Sequence, residues 1–156
     1  MNIENKQQML LAQLDLNLEL LKRAQELMRY SQNKCQAIIK KTQHSDAELE
    51  SCEALTARFA RTVDILTQKI LTTIFLILQE TPTTFIDKCN LAEKLNIINN
   101  AKDLMKIREL RNEIAHEYRR TNLIELFSEI LEHSSNLDAI IANTSKYAEE
   151  LHNKLQ

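Results

Sequence analysis

Along the first quarter of the chain Leu11, Leu14, Leu18, Leu21, Met28, Cys35 and Ile39 recur at three- and four-residue steps or their multiples. That spacing puts them on one stripe of a helix, predicted from about Glu4 to Lys41. "TQHSDAEL" (42–49) interrupts the pattern, with Ser45 or Asp46 placed to cap the next helix and Glu48 in its first turn. A second seam then runs through Leu49, Cys52, Leu55, Phe59, Val63, Leu66, Ile70, Ile74 and Ile77, predicting a helix from about Ala47 to Gln79. Over residues 70–78 the apolar positions spread to nearly every face, the mark of burial on several sides or in a dimer interface. Pro82 in "ETPTTF" ends this helix, because proline disfavours helical geometry in the residue before it. Shorter helices follow, from about Ile86 to Leu95 and, after a cap at Asn99 or Asn100, from about Ala101 to Tyr118. "RRTN" separates these from a last helix, about Leu123 to Lys154, striped by Leu126, Ile130, Leu137, Ile140, Ile141, Tyr147 and Leu151. The expected fold is all-α: an antiparallel bundle of four to five helices, two of them long and N-terminal, in one domain over residues 1–156.

Composition sharpens this picture at a few points. Glycine is absent and there is a single proline, so left-handed turn positions fall to asparagine and tight β-hairpins are disfavoured. A formal net charge of −2 supplies no global field toward nucleic acid or an anionic membrane. The N-terminal "MNIENKQQML" lacks the basic flank and apolar run of a signal peptide, and the longest apolar stretch, "ILTTIFLIL" (70–78), is too short to span a bilayer. A cytoplasmic protein without membrane contact is the expectation. Cys35, Cys52 and Cys89, odd in number and irregularly spaced, read as reduced thiols filling helical faces.

The segment "RELRNEIAHEYRR" (108–120) departs from the generic pattern. With Leu104 at zero on a helical wheel, Ile107, Leu110 and Ile114 fall at about 300°, 240° and 280°, which sets the buried face. Arg111 and Tyr118 fall at about 340° and 320°, on or beside it, where a guanidinium is costly unless paired or facing a solvated cleft. Asn112 and His116, four residues apart, are predicted neighbours. Taken by spacing alone, the pattern has an ordinary reading: His116 a surface histidine, Arg111 paired with an acid of a neighbouring helix, Tyr118 a core ring. The other histidines, His44, His133 and His152, are expected to face solvent.

"LAEKLNIINNAKDLMKIRELRNEIAHEY" (91–118) resembles the core of the HEPN family (higher eukaryotes and prokaryotes nucleotide-binding domains). Arg111, Asn112 and His116 match the family's arginine, polar residue and histidine. Tyr118 extends the match to the Arg-x4-His-x-Tyr form of HEPN toxins encoded beside a minimal nucleotidyltransferase. The resemblance implies a homodimeric endoribonuclease that cleaves RNA without a metal or other cofactor. It also implies neutralisation by a nucleotidyltransferase antitoxin that adenylylates Tyr118.

Those roles suit the residues. An imidazole gives and takes protons near neutral pH, and a guanidinium fork donates to phosphate oxygens as charge develops on them. His116 would then transfer protons, Arg111 would stabilise the phosphate, and Asn112 would align one or the other. A single chain carries one motif histidine, whereas the reaction wants an acid and a base; the two-fold dimer that the resemblance implies would bring a second His116 and Arg111 to one cleft. Arg108, Arg119 and Arg120 are the candidate RNA-binding residues. Between Lys102 and Arg120 six basic residues stand against four acidic ones, and Glu109, Glu113 and Glu117 form an acidic column, so a broad phosphate-binding stripe is not predicted. Two rival readings share the fold: a non-catalytic module that docks to a nucleotidyltransferase and presents nucleotide or substrate, and a structural helical adaptor.

Overall fold

The computed structural model describes residues 2–116 and 122–156, and every regular element among them is helical. Helix α1 spans Ile3–Ile39. Helix α2, Asp46–Asp64, continues without a break through a π-helical turn, Ile65–Ile70, into α3, Leu71–Ile77. Helices α4, Phe85–Lys94, α5, Ala101–Ile114, and α6, Leu123–Leu155, complete the bundle. No helix among the described residues is long and apolar enough to cross a membrane.

The caps follow from side-chain chemistry. Ser45 opens α2 with a capping box: its hydroxyl accepts from the Glu48 backbone N–H at 3.2 Å, and the Glu48 carboxylate accepts from the Ser45 N–H at 3.1 Å. Thr84 and Asp87 repeat the device at α4. Asn100 caps α5, its Oδ1 accepting from Lys102 N at 2.9 Å. Without glycine, the C-termini need other residues in the left-handed region. Asn96 takes it after α4 (φ 61°), and Ile97 N then donates to Ala92 O at 2.9 Å, closing a Schellman motif with both flanking side chains buried. The matching position after α3 falls to Gln79 (φ 58°), where the prediction favoured asparagine. There Glu80 N donating to Phe75 O at 2.9 Å holds a backbone that costs a non-glycine residue about 1–2 kcal/mol.

Helix α1 and the α2–α3 rod form a long antiparallel hairpin. Along it Cys35 meets Cys52, the Arg58 guanidinium donates to Leu27 O and Ser31 Oγ, and Asn17 Nδ2 donates to Thr73 Oγ1 at 3.3 Å. The return helix α6 lies antiparallel to α1, tied by Gln25 to Asp138 at 2.9 Å and by His152 to Asp15 at 3.0 Å. The core runs the length of the bundle, with Leu14, Met28, Leu55, Phe59, Leu66, Ile74, Phe127 and Ile130 fully buried. Along α2 and α3 every predicted seam residue from Cys52 to Ile77 is buried, while Leu49 is half-buried.

The π turn accounts for the spreading of apolar positions that the sequence shows near residue 70. One extra residue in the turn rotates the downstream helix, so Leu66 with Thr67, and Ile70 with Leu71, all face inward. Thr67 and Thr73 are buried with them, their hydroxyls donating to the backbone carbonyls of Val63 and Lys69. The three cysteines are free and buried, and burial raises each thiol above its ordinary range, that of Cys89 to about 11. They pack as small apolar residues do.

Three expectations need correcting. His44, His133 and His152 face solvent only in part, each being half-buried. His44 Nε2 lies 3.1 Å from Ile38 O, closing the α1–α2 corner, and His133 presents a buried Nδ1. Helix α5 ends at Ile114, with Ala115 as its cap, so His116 lies beyond the last turn rather than within it. The cause is a switch to a tighter bond: His116 N donates to Glu113 O, three residues back, at 2.9 Å. Asn112 and His116 are therefore not successive rungs of one helical face. Finally, Leu76 breaks the all-round burial of residues 70–78, being 50% exposed.

Candidate functional site

Helix α5 is anchored before it reaches the site. Leu104, Ile107 and Leu110 are buried among the other helices, and Glu93 near the end of α4 accepts from Ala101 N at 3.3 Å. This α4–α5 hairpin carries the far end of α5 against the end of α2.

There Arg111 meets Asp64 in a two-point fork. Arg111 Nε donates to Asp64 Oδ1 at 2.7 Å and Nη2 to Oδ2 at 2.8 Å, with both side chains 27% exposed. This is the strongest geometry an arginine and a carboxylate can adopt. It resolves the cost that the helical wheel raised: the guanidinium lies beside the core because an acid on α2 faces it. Hydrogen bonding to Asp64, opposed by burial, raises the already high pKa of Arg111 further. The fork has two chemical consequences. It fixes the guanidinium plane, so the N–H groups not spent on Asp64 point in a set direction. It also cancels most of the arginine's net charge, so the pair as a unit attracts anions weakly.

Asp64 is the last residue of α2, immediately before the π turn. Widened turns of this kind are common beside functional groups, because they re-aim a side chain without breaking the helix. The sequence pattern does not single out Asp64. A signal was present: it is a lone acid between Val63 and Ile65, both buried, with no other charge between Arg61 and Lys69. Its partner stands 47 residues away, which no local pattern connects.

The remaining predicted residues sort by position. Asn112 and His116 are exposed at the end of α5. Arg108, one turn before Arg111, is half-buried, with its guanidinium carbon 4.8 Å from the centre of the Phe85 ring at the start of α4. Tyr118, Arg119 and Arg120 lie outside the described residues, as does Glu117 of the predicted acidic column; Glu109 and Glu113 are exposed. Phe85, which the sequence did not single out, turns out to be the shelf on which Arg108 rests. No three His, Cys, Asp or Glu side chains among the described residues gather into a metal-binding group.

One end of the bundle thus brings together an oriented arginine, a stacked arginine, an exposed amide and an exposed imidazole. Phosphate recognition and proton transfer are the chemistry that such a set can perform. Compared with protein-family models, curated proteins and solved structures, the chain matches none of them.

Proposed function

We propose that this chain is a HEPN-type toxin: a cytoplasmic, homodimeric endoribonuclease that needs no metal and is held in check by a nucleotidyltransferase partner. The observation that carries the reading is the Arg111–Asp64 fork, which orients a guanidinium at the end of α5 beside exposed Asn112 and His116. The motif resemblance over residues 91–118 supports it independently.

In the proposed reaction the ribose 2′-oxygen attacks phosphorus, and the bond from phosphorus to the 5′-oxygen of the next nucleotide breaks. One His116 takes the 2′-hydroxyl proton, and the imidazolium of the second protomer's copy gives a proton to the departing 5′-oxygen. The free edge of Arg111 donates to the non-bridging oxygens as their charge grows, and a fork already fixed by Asp64 needs little reorganisation to do so. Asn112 aligns the phosphate or the imidazole. The products are a 2′,3′-cyclic phosphate and a 5′-hydroxyl. Adenylylation of Tyr118, two residues from His116, would place negative charge and bulk at the phosphate site and shut it.

The same ion pair also favours the runner-up, a non-catalytic module that presents substrate to a nucleotidyltransferase, since a neutralised arginine serves as a structural staple. Inducible expression in a bacterial host separates the two. The nuclease reading expects growth arrest and RNA loss with the wild type and normal growth with His116→Ala at equal protein level. Normal growth with both, together with co-purification of a nucleotidyltransferase, would select the module.

A further inference from the structure

Arg108 raises a question that the motif does not. Its Nε is buried and has no hydrogen-bond partner, and among the described residues no carboxylate lies within ion-pairing distance of it. Leaving a charged donor covered and unpaired is costly, and folded proteins rarely tolerate it without a use. The side chain is nonetheless held in place: its guanidinium rests on Phe85, 4.8 Å from the ring centre, and Phe85 is itself packed against the core. Arg108 stands three and four residues before Arg111 and Asn112, so all three project from one side of α5. Arg111 spends two donors and most of its charge on Asp64.

We propose that Arg108 is the anion-binding residue of this face, and that the phosphodiester it takes is a backbone phosphate of single-stranded RNA next to the one being cleaved. The inference rests on the nuclease reading for the identity of the ligand, and on the geometry for the division of labour. Arg111, neutralised and fixed, acts on the charge that develops during reaction. Arg108, uncompensated and stacked, supplies ground-state attraction. The ring shelf suits that task, because it fixes the guanidinium without competing for its N–H groups. The Nη groups of Arg108, unlike its Nε, are not buried and make no hydrogen bond among the described residues, so they are the donors a phosphate oxygen would meet.

The test uses the full-length protein and a single-stranded 2′-O-methyl RNA oligonucleotide, which can bind but lacks the attacking hydroxyl. Fluorescence anisotropy over a series of salt concentrations gives the affinity and its salt slope. For Arg108→Gln we expect binding weaker by about tenfold and a log–log salt slope shallower by about 0.7, the loss of one phosphate contact on a single strand. Arg23→Gln, which removes an exposed arginine of α1, should leave both unchanged. Phe85→Leu keeps the charge but removes the shelf, so affinity should fall about threefold with the slope retained; this variant decides the matter if Arg108→Gln does not fold. Wild-type protein that fails to bind the oligonucleotide, or an Arg108→Gln protein that binds and titrates with salt as the wild type does, overturns the proposal. RNA bound through Arg108 by a protein that cuts no natural RNA would remove the nuclease reading and the neighbouring-phosphate assignment, and leave Arg108 as the anion-binding residue of this face.

Discussion

Replacing His116 with alanine should slow RNA cleavage by about 10²–10⁴-fold, the usual loss when a proton-transfer group is removed. The same change should move stability by no more than about 0.5 kcal/mol. Both expectations come from one placement: His116 is exposed and lies beyond the end of α5. A single-turnover cleavage assay and a thermal unfolding curve on the same preparation test the pair of outcomes together. A variant that loses activity and stability in proportion would show that the residue serves the fold, and the catalytic role would fall. The proposed dimer strengthens the expectation. If each cleft uses both copies of His116, one as base and one as acid, the alanine variant loses both ends of the proton transfer in every site.

The largest expected effect on stability is at Phe59. Its side chain is fully buried midway along α2, on the seam that also carries Leu55 and Val63, which are likewise inaccessible. Phe59→Ala should cost about 3–5 kcal/mol, since the lost transfer free energy is compounded by the cavity left behind. At roughly 2–4 °C per kcal/mol for a domain of this size, the unfolding midpoint should fall by about 6–20 °C. The long helices cannot close easily around a gap, because each is pinned along its length by cross-links such as Arg58 to Ser31 and Asn17 to Thr73. Leu16→Ala on α1, 63% exposed, provides the contrast and should change stability by no more than about 0.5 kcal/mol. A loss below 1 kcal/mol at Phe59 would mean that the seam is not packed as described.

The helices were legible in the sequence because burial leaves a periodic trace. Cys52 to Ile77 lie at helical steps, and those are the positions found inside the bundle. Caps were legible for a related reason, as Ser45 with Glu48 and Asn100 bring their own hydrogen-bonding chemistry to a local problem. What escaped was non-local or decided by small energies. The end of α5 at Ile114 turns on one backbone bond shifting from a four-residue to a three-residue reach, which no side chain announces. The π turn after Asp64 leaves only a widened apolar stretch in the sequence, which signals many-sided burial but not its geometric cause. Partial cover of His44 and His152 comes from Ile38 O at a corner and from Asp15 on a distant helix.

At the candidate site the same division holds. Arg111, Asn112 and His116 stand out by type and spacing. Asp64, which makes Arg111 tolerable beside the core, and Phe85, which supports Arg108, are visible only once α2 and α4 are folded against α5. The wheel nevertheless posed the right question about Arg111, because a charge at the margin of a buried face needs a partner, and it has one.

We propose that this end of the bundle cleaves RNA by general acid–base chemistry. A direct test is to incubate the purified protein with single-stranded RNA in excess EDTA and analyse the fragment ends by mass spectrometry. The wild type should leave 2′,3′-cyclic phosphate and 5′-hydroxyl termini, and His116→Ala should leave none. Intact RNA under these conditions, or the same fragments from both proteins, would contradict it.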